Sequence, residues 1–166
     1  MSEVFYRVPL IPQDGNQTCW YACALMLVGF RRGRMGATAP AGREGERPST
    51  AAAVRRDGSG LLPQGACALA RQNNLRMEFV GPTPEGLERL LLRFGPLWYG
   101  GRIEGHRGMT EQAHVVVITG MRREETGDEI TVNDPWPPRK GACLSFEYDD
   151  FFSTLTPVAG TPLLHT

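Results

Sequence analysis

At 166 residues and 18.3 kDa the chain has the length of one ordinary domain, with room for a loose arm. Eighteen basic residues balance eighteen acidic ones, so no overall positive field exists to gather polyphosphate or anionic lipid, and neither nucleic acid nor a membrane surface is expected as a partner. An apolar fraction of 41% supplies a core and excludes a disordered chain, while 20 glycines and 13 prolines, about a fifth of the sequence against a usual combined share of about 12%, forecast many turns.

The chain opens with an extended segment, Val4 to Ile11, that stops at Pro12 and the polar turn Gln13-Asp14-Gly15-Asn16. Thr18 stands at a helix N-cap position, and the run from Cys19 to Phe30 is apolar nearly all round, which predicts a buried central helix. That run is about twelve residues, too short to span a bilayer. The start carries an early acid and no apolar core of the kind a signal peptide needs.

Residues 31–60 hold seven arginines against three acids among Gly, Ala, Pro, Ser and Thr, and with no apolar period they read as a mobile, solvated insertion or a frayed helix region. Structure resumes at Leu61. Pro63 suits the first turn of a helix over Gln64 to Asn73, and a short strand follows over Leu75 to Val80. Thr83-Pro84-Glu85 opens the clearest helix: Leu87, Leu90, Leu91 and Phe94 fall at i, i+3, i+4 and i+7, and Gly95 closes it.

The period then becomes strand-like over Pro96 to Gly101, His114 to Met121, Ile130 to Asn133 and Cys143 to Tyr148. Thr126-Gly127-Asp128, within residues 122–129, marks a hairpin turn, and a short helix is expected over Asp149 to Leu155. Helices first and strands second predict an α+β fold, with an N-terminal central helix packed on a C-terminal antiparallel sheet in a single domain over residues 1–166.

The basic charge is nearly all arginine, Lys140 being the one lysine, which is a compositional habit and not a binding signature. Cys19, Cys23, Cys67 and Cys143 match no zinc-ribbon spacing, and disulfides are not the default. Cys19 sits where the first turn of the central helix leaves N–H groups unpaired, and the helix dipole there favours a thiolate; Cys23, one turn on, is in a structural position. His114 begins the most strand-like run in the chain, so it is held rigidly yet reaches a cleft. His106 in a glycine-rich loop and His165 in the C-terminal tail are poorer bases. Asp134 ends the strand that pairs with that of His114, where a carboxylate can accept the imidazole N–H and fix its tautomer. Asn133 is the adjacent alternative, and alternation along a strand lets only one of the two face the histidine. Gln13, six residues before Cys19, supplies an amide that can join the Cys19 N–H at a tetrahedral oxyanion. Gln17 is too near to fold back over the thiol.

In that order these residues resemble the papain-like cysteine proteases, in the compact bacterial form typified by avirulence proteins. That type has a Cys-Trp helix, a Gly-Pro-Leu strand, a His-x-Val-Val-x-Thr-Gly strand and Asp-Pro-Trp. The counterparts here are Cys19-Trp20, Gly95-Pro96-Leu97, His114 to Gly120 and Asp134-Pro135-Trp136, preceded by Gln13. The resemblance implies Cys19 as nucleophile, His114 as general base, Asp134 as orienting acid and Gln13 as oxyanion donor, with no metal or organic cofactor. The papain subfamily proper uses Asn as its third member, which leaves Asn133 beside Asp134 for that role. The likeness further implies a protein substrate and an effector or toxin role, in the bacterial cytoplasm or after delivery by a secretion system. An immunity or inhibitor protein is the implied partner. The same residue set also runs deamidation or acyl transfer, and the non-enzymatic alternative is a papain-fold module that binds a partner.

Overall fold

The computed structural model describes residues 1–15, 18–34, 63–79, 83–103 and 112–166. Among them are four helices, α1 (Cys19–Arg34), α2 (Pro63–Gln72), α3 (Pro84–Phe94) and α4 (Tyr148–Thr154). Eight strands accompany them: β1 (Ser2–Phe5), β2 (Arg76–Glu78), β3 (Leu97–Ile103), β4 (Gln112–Glu124), β5 (Gly127–Asp134), β6 (Ala142–Glu147), β7 (Leu155–Pro157) and β8 (Leu163–His165). The strands form one sheet in the order β2-β8-β3-β4-β5-β6, with β1 added to β4 and β7 to β3. Every pairing is antiparallel, as the α+β expectation required.

Both faces of the sheet are covered, which explains why His114 to Gly120 reads as an unbroken apolar run and not as strict alternation. Val115 and Val117 of β4 pack with Trp20, Cys23 and Leu27 of α1, with Leu69 of α2 and with Trp98 of β3. Val116 and Ile118 face the opposite way, against Leu87 and Leu91 of α3 and Phe151 of α4. Each of these fully buried aliphatic side chains contributes about 1.5–3 kcal/mol of burial free energy. The indole of Trp98 donates to the Trp20 carbonyl at 3.0 Å and ties α1 to the sheet.

α1 is apolar all round because it is covered all round. Beyond the sheet and α2, the N-terminal arm passes so close that a Cβ at Gly29 would lie 3.1 Å from Pro9, and Tyr6 stacks edge-on against Phe30. α3 has the ends its sequence specifies. The Thr83 hydroxyl accepts the Gly86 N–H at 3.1 Å, and Gly95, at φ 87°, closes the helix by donating to the Leu91 carbonyl.

Three expectations need correction. α1 continues through Arg34, so residues 31–34 are helix and not insertion; residues 35–60 lie outside the described residues. The Arg31 guanidinium holds that last turn by donating to the carbonyls of Asn73 and Asn74, beyond the end of α2. Thr18 stands immediately before the helix, at the N-cap position: its carbonyl accepts from Tyr21 and Ala22, and its hydroxyl exchanges hydrogen bonds with Gly15. The opening strand is shorter, ending at Phe5, because β1 pairs only along Met121 to Arg123 and Gly120 of β4. The C-terminal tail is two strands: β7 lies on β3, and β8 bridges β2 and β3.

Candidate active site

The sequence from Pro12 onward brings Cys19 to the first position of α1, where the thiol is 7% exposed. The first turn carries no acidic residue, so nothing offsets the positive end of the helix dipole. Cys23 sits one turn deeper in a different environment. It is wholly buried, its Sγ–H donates to the Val115 carbonyl at 3.3 Å, and its thiol is pushed well above the ordinary range by burial and then by the charges of Cys19 and Asp134. All four cysteines are free, Cys67 half-buried and Cys143 exposed.

His114 stands near the mouth of β4, opposite Gly101 of β3. Asp134 ends β5. The β4–β5 register pairs Val117 with Asn133, so Asp134 falls level with Val116 and diagonal to His114 on the same face. The Asp134 Oδ1 lies 2.8 Å from His114 Nε2, with the two side chains only 17% and 14% exposed. Cys19 is also within hydrogen-bonding reach of the imidazole. Burial alone would lower the His114 pKa, but the hydrogen bonds to Asp134 and Cys19, with their charges, outweigh it and raise it to about 10. With Nε2 committed to Asp134, Nδ1 is the nitrogen left to exchange a proton with Cys19.

The same Asp134 Oδ1 accepts the Trp136 backbone N–H at 2.8 Å, so the turn after β5 fixes the carboxylate. The Trp136 ring is 46% exposed. Asn133, on the other face of β5, is buried and sends its amide to the Val8 carbonyl at 3.1 Å. Of the neighbouring pair, Asp134 meets His114 and Asn133 meets the N-terminal arm.

Gln13 is 2% exposed and is gripped by its backbone: its N–H donates to the Pro135 carbonyl at 3.1 Å, and its carbonyl accepts the Arg139 N–H at 2.9 Å. Its Nε2 donates to the Gly15 carbonyl, which commits one of the two amide protons. Gln13 Oε1 is buried with no hydrogen-bond partner among the described residues. Gln17 and His106 lie outside the described residues. His165 is buried in β8, its ring stacked 4.0 Å from that of Phe94.

Sequence reasoning missed the backbone groups that brace the site: the carbonyl of Pro135 and the N–H groups of Trp136 and Arg139. They belong to a loop that turns with positive φ at Arg139 (64°) and Gly141 (63°), and its sequence signals were Asp134-Pro135, Pro137-Pro138 and Gly141. Among the described residues no cluster of His, Cys, Asp and Glu has the makings of a metal site.

The model of the family described as papain-like cysteine protease AvrRpt2 matches residues 2–150. No curated protein matches the chain. Among solved structures, one from a study of antibody cross reactivity between the mite allergens Blo t 1 and Der p 1 superposes with a TM-score of 0.54 at 11% identity. The alignment covers 95% of this chain and 66% of that one, and at such low identity the likeness shows the fold alone.

Proposed function

The chain belongs to the AvrRpt2 family of papain-like cysteine proteases, and we propose that it is a cysteine endopeptidase that cuts a protein substrate through a thioester on Cys19. The observation that carries the reading is the part-buried His114–Asp134 contact of 2.8 Å beside the thiol. With its pKa at about 10, His114 is an imidazolium at neutral pH and the natural counter-ion of a Cys19 thiolate.

In acylation the Cys19 sulfur bonds to the peptide carbonyl carbon, and the oxygen takes up negative charge. The Cys19 backbone N–H and the uncommitted N–H of Gln13 Nε2 stabilise that oxyanion. As the tetrahedral species collapses, the C–N bond breaks and His114 gives its proton to the leaving amine. The thioester has no thiolate charge, so both influences by which Cys19 raised the His114 pKa are gone. The lower pKa makes His114 a readier acid toward the leaving amine and leaves the ring neutral, free to accept a proton, when water attacks. It takes a proton from water as the water oxygen bonds to the acyl carbon, and the C–S bond then breaks to return the thiolate. Asp134 holds the ring in orientation through both halves.

We further infer that the catalytic unit is one domain acting as a bacterial effector or toxin, in the cytoplasm or inside a target cell, with an immunity or inhibitor protein as its partner. Family membership supports the papain-like peptidase itself; the role, location and partner extend the resemblance read from the sequence. Mass spectrometry of candidate target proteins, incubated with the wild type and with Cys19→Ala, tests the endopeptidase reading. New peptide termini formed only by the wild type are expected. A mass gain of about one dalton with no cleavage would instead assign deamidation by the same residues.

A further inference from the structure

The arm from Val8 to Gln13 has no regular secondary structure of its own, yet it delivers a side chain that must be fixed to a fraction of an ångström. What holds it is the end of β5 and the loop beyond. Asn133 Nδ2 donates to the Val8 carbonyl at 3.1 Å, and Gln13 exchanges backbone hydrogen bonds with Pro135 and Arg139 at 3.1 and 2.9 Å. Leu10 packs where a Cβ on Gly141 would stand, 3.2 Å away. The Asn133 bond is the one among these made by a side chain, and that side chain is buried. Alternation along β5 thus sends two adjacent residues to two halves of one site, Asp134 to the histidine and Asn133 to the arm that carries Gln13.

We propose that Asn133 is a positioning residue for the reaction, whose amide holds Val8 and so keeps Gln13 in place at the oxyanion. The proposal rests on the reading of Gln13 as an oxyanion donor. It assigns Asn133 no part in activating the thiol.

Two small electrophiles separate these roles, and neither depends on substrate subsites. p-Nitrophenyl acetate acetylates the thiolate through a tetrahedral oxyanion and releases nitrophenolate. Iodoacetamide alkylates the same sulfur by displacing iodide, with no oxyanion formed. Intact-mass analysis assigns each adduct, and Cys19→Ala supplies the background from Cys67 and Cys143. In Asn133→Ala and the near-isosteric Asn133→Asp, acetylation is expected to slow about tenfold, a part of the 100- to 1,000-fold that losing an oxyanion donor costs. Alkylation should stay within about twofold. Gln13→Ala should show the same split more strongly, and adding Asn133→Ala to it should cost nothing further.

Unchanged acetylation in the Asn133 variants would overturn the proposal. So would a parallel fall in both reactions, which would place Asn133 at the thiol–imidazole pair, or loss of the native circular-dichroism spectrum in both, which would assign it to the fold. An additional loss in the double variant would equally exclude action through Gln13. If Gln13→Ala itself acetylates normally, the oxyanion reading of Gln13 is what fails.

Discussion

The β4–β5 hairpin carries cation–carboxylate contacts at both of its ends, and the two ends are built differently. At the turn end Arg123 reaches Glu85, Asp128 and Glu88 at 2.7, 3.2 and 3.4 Å, and Arg122 reaches Glu129 and Glu124. These partners range from Asp128 and Glu88, at 16% and 19% exposure, to Glu85 at 60%, beside a shallow hollow of about 220 Å³ lined by Met1, Ser2, Arg123, Glu124, Glu125 and Asp128. At the open end a single contact joins His114 to Asp134, both mostly buried. The guanidinium groups of the crowded end stay charged whatever their partners, whereas the single pair at the open end shifts the state of its histidine at neutral pH. What decides the chemical consequence is the titratable imidazole, not the number of partners or the size of the hollow.

The severest way to break this contrast is His114→Ala. It should reduce turnover at least about 1,000-fold with the circular-dichroism spectrum unchanged, the scale on which members of such catalytic sets act. Activity near the wild-type level would show that the open end is ornamental. Next comes Asp134→Asn, expected to cost about a hundredfold or more in kcat because the amide no longer favours the charged imidazole. NMR titration of His114 should then fall clearly below its value of about 10, since the bond and charge of Asp134 are among the causes that raise it.

pH sharpens the contrast further. The folded His114 pKa of about 10 lies above the ordinary value of 6.5, so its stabilising contribution is complete below about pH 6.5 and is lost as pH rises through 10. Peptide hydrolysis should decline over the upper part of that range, since the leaving amine loses its proton donor, while iodoacetamide alkylation should not. A hydrolysis limb centred near 6.5 would contradict the buried-pair account. The smallest effect belongs to the other end. Arg123→Ala should leave turnover and the His114 titration unchanged and lower Tm slightly, the more so at low salt.

Much of the open end was legible because its signals are local. A thiol after a polar turn, a histidine at the mouth of an apolar run and an aspartate before proline each announce themselves within a few residues. α3 was legible for the same reason: its cap, apolar period and closing glycine all lie within residues 83–95. β8 was not, since Leu163-Leu164-His165 is too short for a period and becomes a strand only because β2 and β3 flank it. The last turn of α1 likewise depends on Arg31 meeting carbonyls some forty residues on. Alternation showed that Asn133 and Asp134 must part company. It could not say which would meet His114, because the partner of Asn133 is a carbonyl 125 positions away.

β8 also changes how the far end of the chain should be handled. β2 joins the sheet through β8, and Leu164 lies in the same core as Leu69, Leu75 and the underside of the Cys19 helix. Residues 163–165 are therefore a fastener, not a loose end. Clipping them would release a flank of the molecule and loosen the floor beneath the proposed nucleophile, so a purification handle or a trimming protease at this point reaches Cys19 without touching the cleft.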